Sequence, residues 1–150
     1  MSGGVIHQQI QQAVARWLRR PQDGPAYRSA CSVVLSDLVA VTRETPDVIG
    51  WNSRPMSILV ECKASRSDFL AEHKKFHRTL RGMGTRRYYA APSGMIRPEE
   101  LPEGWGLLEM GARGVSVTVE AVESEPDRKE EVLLLVSALR RTQPTTEKRG

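Results

Sequence analysis

The chain is poor in the features that would mark it for an oxidising compartment, a membrane or a nucleotide fold. It has two cysteines in 150 residues. Cys31 and Cys62 both lie in apolar, strand-like settings, so they are expected to be reduced core thiols and not a disulfide framework. No stretch approaches the ~20 consecutive apolar residues of a membrane span. Met1-Ser2-Gly3-Gly4 carries no basic segment leading into an apolar run, so no signal peptide is expected and the cytoplasm is the expected compartment. Gly82-Met83-Gly84 is a lone GxG with no strand before it and no third glycine, which is not a dinucleotide fingerprint. His73 and His77 stand one helical turn apart, but Lys74 occupies the place where a zincin needs glutamate, so zinc is not expected. Internal repeats are absent.

What is present describes an ordinary globular chain, 39% hydrophobic and 27% charged, of a size for one domain with one modest core. That domain is expected over residues 1–141, with residues 142–150 as a disordered basic tail. The net charge is +4, unevenly spread. From Lys63 to Arg87 there are eight Lys or Arg against two acids, or +6, which leaves −2 for the remainder. A local basic region of this kind suits a phosphate-bearing polymer or a solubilising helix face.

Periodicity predicts an amphipathic helix over residues 5–20, with Ile6, Ile10, Val14, Trp17 and Leu18 as its apolar stripe and Pro21 as its stop. His7 on this helix reads as a surface or capping residue. Cys31 to Thr42 is apolar and β-branched, one long strand or two shorter ones. Asp37 interrupts it, and an acid there is either at a bend or a third acid of a site. Ser65 and Asp68 resemble a capping box for a helix running to about Arg81, with Phe69, Leu70, His73, Phe76, His77 and Leu80 facing inward. Arg86 to Ala91 is a strand that puts Tyr88 and Tyr89 on opposite faces, one in the core and one near the surface. Strands over 104–110 and 115–122 flank a hairpin turn, Gly111-Ala112-Arg113-Gly114, and Trp105 is a core anchor. Ser124-Glu125-Pro126-Asp127 reads as a helix start with Ser124 as cap, followed by an inward stripe of Val132, Leu135, Val136 and Leu139.

The stretch that organises these elements is 46–63. Two apolar runs, Val48-Ile49-Gly50-Trp51 and Ser57-Ile58-Leu59-Val60, flank the turn-forming Asn52-Ser53-Arg54-Pro55, which predicts a β-hairpin with a loose loop. Alternation puts Leu59, Glu61 and Lys63 on one face, and Ile58, Val60 and Cys62 on the other. Folding about Arg54 sets Asp47 opposite Glu61. Two carboxylates and an ammonium then meet. Neighbouring carboxylates repel unless one is protonated or a cation sits between them. Oxygen ligands with open positions suit Mg²⁺ or Mn²⁺. The ammonium can hold a water or steady developing negative charge. An acid and a lysine two apart on a strand also describe a solvated face, but here they follow an apolar run and oppose another acid.

Pro46-Asp47 followed by Glu61-Cys62-Lys63 resembles the signature of the PD-(D/E)xK nuclease superfamily. The longer stretches Val60 to Leu70 and Arg87 to Pro92 are similar to small MmcB-like DNA repair nucleases and related phage and bacterial proteins. The resemblance spans roughly residues 5–110. It implies a restriction-endonuclease-like α/β fold, a mixed central sheet flanked by helices. It also implies a metal-dependent deoxyribonuclease in DNA repair, recombination or phage and host DNA processing. Asp47, Glu61 and Lys63 would be catalytic. Asp47, Glu61, the main-chain carbonyl of Cys62 and, as a candidate, Asp37 would hold Mg²⁺ or Mn²⁺. Lys74, Lys75, Arg78, Arg86 and Arg87 would hold DNA phosphates. Many members carry a metal-binding glutamate on the first helix, and this chain has none there. Two other readings stay open: a catalytically inactive DNA-binding module of the same fold, and a subunit that recruits a partner through its last helix. A homodimer is one way for so small a chain to gain a recognition surface.

Overall fold

A computed structural model describes residues 3–21, 30–36, 46–73 and 82–143. Its elements are α1 (Gly3–Arg19), β1 (Val33–Ser36), β2 (Val48–Trp51), β3 (Ser57–Cys62), α2 (Arg66–His73), β4 (Arg86–Pro92), a 3-10 turn (Pro98–Glu100), β5 (Gly106–Gly111), β6 (Gly114–Val119) and α3 (Arg128–Thr142). The six strands form one sheet in chain order. β1–β2, β2–β3 and β5–β6 pair antiparallel, while β3–β4 and β4–β5 pair parallel. The result is the expected α/β architecture with a mixed sheet and helices on both sides.

The hairpin register follows the symmetry about Arg54. Val48 pairs with Val60, Ile49 with Leu59, Gly50 with Ile58 and Trp51 with Ser57. The two faces sort as alternation requires. Ile58, Val60, Cys62, Tyr88 and Ala90 join Ile10, Val14 and Leu18 of α1 in one core. Ile49, Trp51, Leu59, Tyr89 and Leu107 join Phe69 of α2 and Leu134 of α3 in the other. Strands covered on both sides need apolar residues at every position, and β3 and β4 are buried almost throughout. The edge strand β6 alternates between exposed and half-buried positions.

Gly106 lets β5 enter this sheet. A Cβ there would lie 2.5 Å from the Tyr88 ring and 2.5 Å from the Val119 carbonyl, so any side chain would force the three strands apart.

Several expectations are corrected. Tyr88 and Tyr89 do face opposite sides, but both are buried, because both faces of β4 are covered. Leu70 is exposed, not inward. The α3 cap is Asp127, whose carboxylate accepts the Glu130 N–H at 3.1 Å. Ser124 is instead tied to the Thr85 carbonyl through its own N–H at 2.8 Å. The inward face of α3 is also rotated from the expected stripe. Leu134 and Glu131 are buried and Leu135 packs on the core, while Val132, Val136 and Leu139 are exposed. The free thiols Cys31 and Cys62 are both buried, as expected.

Candidate active site

The hairpin ladder ends at Val48–Val60, and Asp47 is the next residue outward. Its carboxylate takes over from the main chain: Oδ2 accepts the Cys62 N–H at 2.8 Å. The following amide, Lys63 N–H, turns the other way and donates to the Ala90 carbonyl of β4 at 2.8 Å. Asp47 is thereby bound across the open end of the hairpin, beside Glu61. This end of the sheet is where parallel β3 and β4 both finish, the usual place for a site in an open α/β sheet.

A cleft of about 410 Å³ opens here, lined by His7, Asp47, Glu61, Cys62, Lys63, Asp68, Ala71 and Glu72. Three elements supply it. The hairpin gives Asp47, Glu61 and Lys63. The α1 helix gives His7, whose Nε2 lies 3.4 Å from Asp47 Oδ2. The α2 helix gives Asp68 and Glu72. The Lys63 ammonium is in direct contact with Glu72 Oε2; the lysine side chain is well shielded, at 15% exposure, and that of Glu72 is more open, at 37%. The α2 start is set by Ser65, whose hydroxyl accepts the Asp68 N–H at 3.2 Å. That is the expected capping contact.

The cleft holds four carboxylates, one ammonium and one imidazole. Its field shows in its neighbours. The buried Cys62 thiol is pushed well above its ordinary pKa, first by desolvation and then by the charges of Asp47 and Glu61, with Lys63 acting weakly the other way. A thiol so held is no nucleophile, and Cys62 offers the cleft its main chain only. The Tyr89 hydroxyl is likewise raised, by burial and by Glu72 and Glu61.

No family model matches this sequence, and no curated protein matches it. A solved structure does. It is a protein of unknown function from Silicibacter pomeroyi, 27% identical, with a TM-score of 0.67, matched over 92% of this chain and 89% of that one. The likeness supports the mixed α/β fold along nearly the whole chain.

The donor set fits a small hard cation. Among the described residues no three His, Cys, Asp or Glu side chains cluster closely enough to hold an ion by themselves. Mg²⁺ does not require such a cage. It commonly keeps several waters and takes one or two carboxylates with substrate phosphate. Asp47, Glu61 and the Cys62 carbonyl form a set of that kind.

Three polar cleft residues escaped the sequence reading, Asp68 among them, which reads there only as part of a helix cap. His7 reads as a surface or capping residue, yet it stands against Asp47. The usable signal was Gln11, one helical turn on, whose Nε2 donates to the Asp47 carbonyl at 3.3 Å. Glu72 carried no signal, because its meeting with Lys63 depends on how α2 folds back on β3. Two expected phosphate contacts are corrected. Arg86 and Arg87 start β4, four and three residues before Ala90 at the far end of the strand, and are 9% and 6% exposed. Arg86 donates to the Ala121 carbonyl at 2.5 Å, and the Arg87 guanidinium lies 5.8 Å from the Trp105 ring centre. Arg86 is thus held against the chain after β6, and Arg87 lines a cavity with Glu103, Trp105 and Glu123. Asp37, Lys74, Lys75 and Arg78 lie outside the described residues. No described helix is long and apolar enough to cross a membrane.

Proposed function

We propose that this protein is a cytoplasmic, Mg²⁺- or Mn²⁺-dependent deoxyribonuclease that hydrolyses phosphodiester bonds in DNA repair, recombination or phage and host DNA processing. The carrying observation is that Asp47, Glu61 and Lys63 converge on one cleft at the hairpin end, with Asp47 fixed to the Cys62 amide. Asp47 and Glu61 would hold the cation, with the Cys62 carbonyl as a further ligand. A bound Mg²⁺ or Mn²⁺ would polarise a phosphoryl oxygen and activate water. Lys63, held by Glu72, would orient the attacking water and steady negative charge on the phosphate. A cleft with four carboxylates repels DNA unless a cation enters first, which supports metal dependence.

Purified protein incubated with labelled single-stranded, duplex, flap and branched DNA tests this. Cleavage is expected with Mn²⁺ or Mg²⁺ and not with EDTA. Asp47→Ala, Glu61→Ala and Lys63→Ala should each abolish it while leaving the fold intact by circular dichroism. Full activity in all three variants would overturn the assignment. Binding without cleavage across the panel would select the catalytically silent DNA-binding module. That second reading is favoured by one feature: α1 brings His7, and no acid, to Asp47.

A further inference from the structure

Outside the hairpin ladder, Asp47 is placed by three contacts, and two come from α1. Cys62 N–H donates to Oδ2 at 2.8 Å. Gln11 Nε2 donates to the Asp47 main-chain carbonyl at 3.3 Å. His7 Nε2 stands 3.4 Å from Oδ2. Residues four apart share one helix face, so His7 and Gln11 act as one rigid pair.

The pair is conspicuous in its setting. The α1 helix docks through the buried Ile10, Val14, Ala15 and Leu18. Gln11 is 6% exposed among them. A buried amide is costly unless it is hydrogen-bonded, and its bond to residue 47 compensates that cost. His7 is half-buried beside it. Its Nε2, a nitrogen able to donate, is the ring atom turned to Oδ2. Both side-chain contacts to the Asp47 carboxylate fall on Oδ2. A cation can therefore be taken through Oδ1 without breaking either.

We infer that His7 and Gln11 are positioning residues: α1 clamps Asp47 by its main chain and its carboxylate, and so sets the cation affinity of the cleft. The inference rests on the metal-nuclease reading above. Partners that orient a metal ligand typically change affinity or activity by 10–100-fold when removed. They do so without touching DNA, so at saturating Mn²⁺ the loss belongs in kcat and Mn²⁺ affinity, not in the KM for DNA.

The test titrates full-length protein with Mn²⁺ by calorimetry and measures cleavage kinetics in parallel. His7→Ala and Gln11→Ala are expected to weaken Mn²⁺ binding and lower kcat by about 10–100-fold, with KM unchanged when Mn²⁺ is saturating. The decisive comparison uses two amides at position 7. His7→Gln places an N–H near the imidazole Nε2 and should restore binding. His7→Asn has a shorter reach and should not. His7 is partly exposed, so its variants should melt like wild type and carry the test even if Gln11→Ala unfolds. Wild type that binds no Mn²⁺ would sink the underlying metal-site reading. Wild type that binds Mn²⁺, with His7→Ala indistinguishable from it, would overturn the clamp alone, as would equal restoration by Asn and Gln.

Discussion

Glu131 is 1% exposed, and its carboxylate gathers four donors from separate parts of the chain. Trp51 Nε1 and Arg128 reach Oε1 at 3.2 and 3.0 Å. The Ser57 hydroxyl and the Gly84 N–H reach Oε2 at 2.6 and 2.8 Å. One side chain thus ties α3 to β2, β3 and the approach to β4. Removing the Glu131 carboxylate strands the buried Trp51, Ser57 and Gly84 donors, at about 1–3 kcal/mol for each one left unsatisfied, while Arg128, 50% exposed, can turn to water. Glu131→Ala should lower unfolding free energy by about 3 kcal/mol or more in urea titrations. Arg128→Ala, a half-exposed partner, should cost about 1 kcal/mol or less. A Glu131→Ala loss as small as that of Arg128→Ala would show that the network does not hold α3. This residue also explains a misread face. Sequence logic places charge outside and apolar residues inside, which selects Val132, Val136 and Leu139. The helix instead turns Glu131 and Leu134 inward, because the sheet offers the carboxylate more donors than water-free packing of valine could replace.

At the scale of elements, local pattern carried most of the fold. Alternation and turn chemistry were enough for the hairpin, its register about Arg54 and the sorting of Ile58, Leu59, Val60 and Cys62 between two cores. Period-3.6 spacing was enough for α1. Contacts that depend on distant elements were not legible: His7 against Asp47, Glu72 against Lys63, and the burial of Arg86 and Arg87. The connection between β4 and β5 belongs with these. Arg66 at the start of α2 pins it. The Arg66 guanidinium donates to both Glu100 carboxylate oxygens, at 2.9 and 2.5 Å, and to the Met95 carbonyl at 2.9 Å. The Arg66 hydrogen bonds, with that from the Arg97 amide, hold the Glu100 carboxyl down to about 2. A carboxylate depressed on folding stabilises the native state above its unfolded pKa, and the effect is lost as pH falls through the folded value. The brace should therefore be complete above about pH 4.5 and released on approach to pH 2. NMR titration of the Glu100 side chain should give a midpoint near 2 in wild type and a clearly higher one in Arg66→Ala, still held below an ordinary glutamate by the Arg97 amide. An unchanged midpoint in the variant would assign the shift to the backbone and not to the ion pair.

The whole molecule is basic, with a pI near 9.4, yet its candidate active site is the reverse. Asp47, Glu61, Asp68 and Glu72 face Lys63 in one cleft. A polyanion approaching this protein meets attraction at long range and repulsion at the cleft. The proposed function needs that conflict to be resolved by a divalent cation. It follows that the conflict should be measurable with the cation removed. In EDTA, neutralising two of the carboxylates in the Asp47→Asn, Glu61→Gln double variant should strengthen DNA binding. Two charges near a phosphate in a wet cleft amount to on the order of 1 kcal/mol, or about fivefold in Kd. With Mn²⁺ present the order should invert, because wild type alone retains the charged carboxylate ligands. Fluorescence anisotropy on both proteins, with and without Mn²⁺, separates the cases. Inversion places the DNA phosphate at the cleft. If both proteins bind equally under both conditions, DNA lies on another surface, and the acidic cleft serves a different substrate.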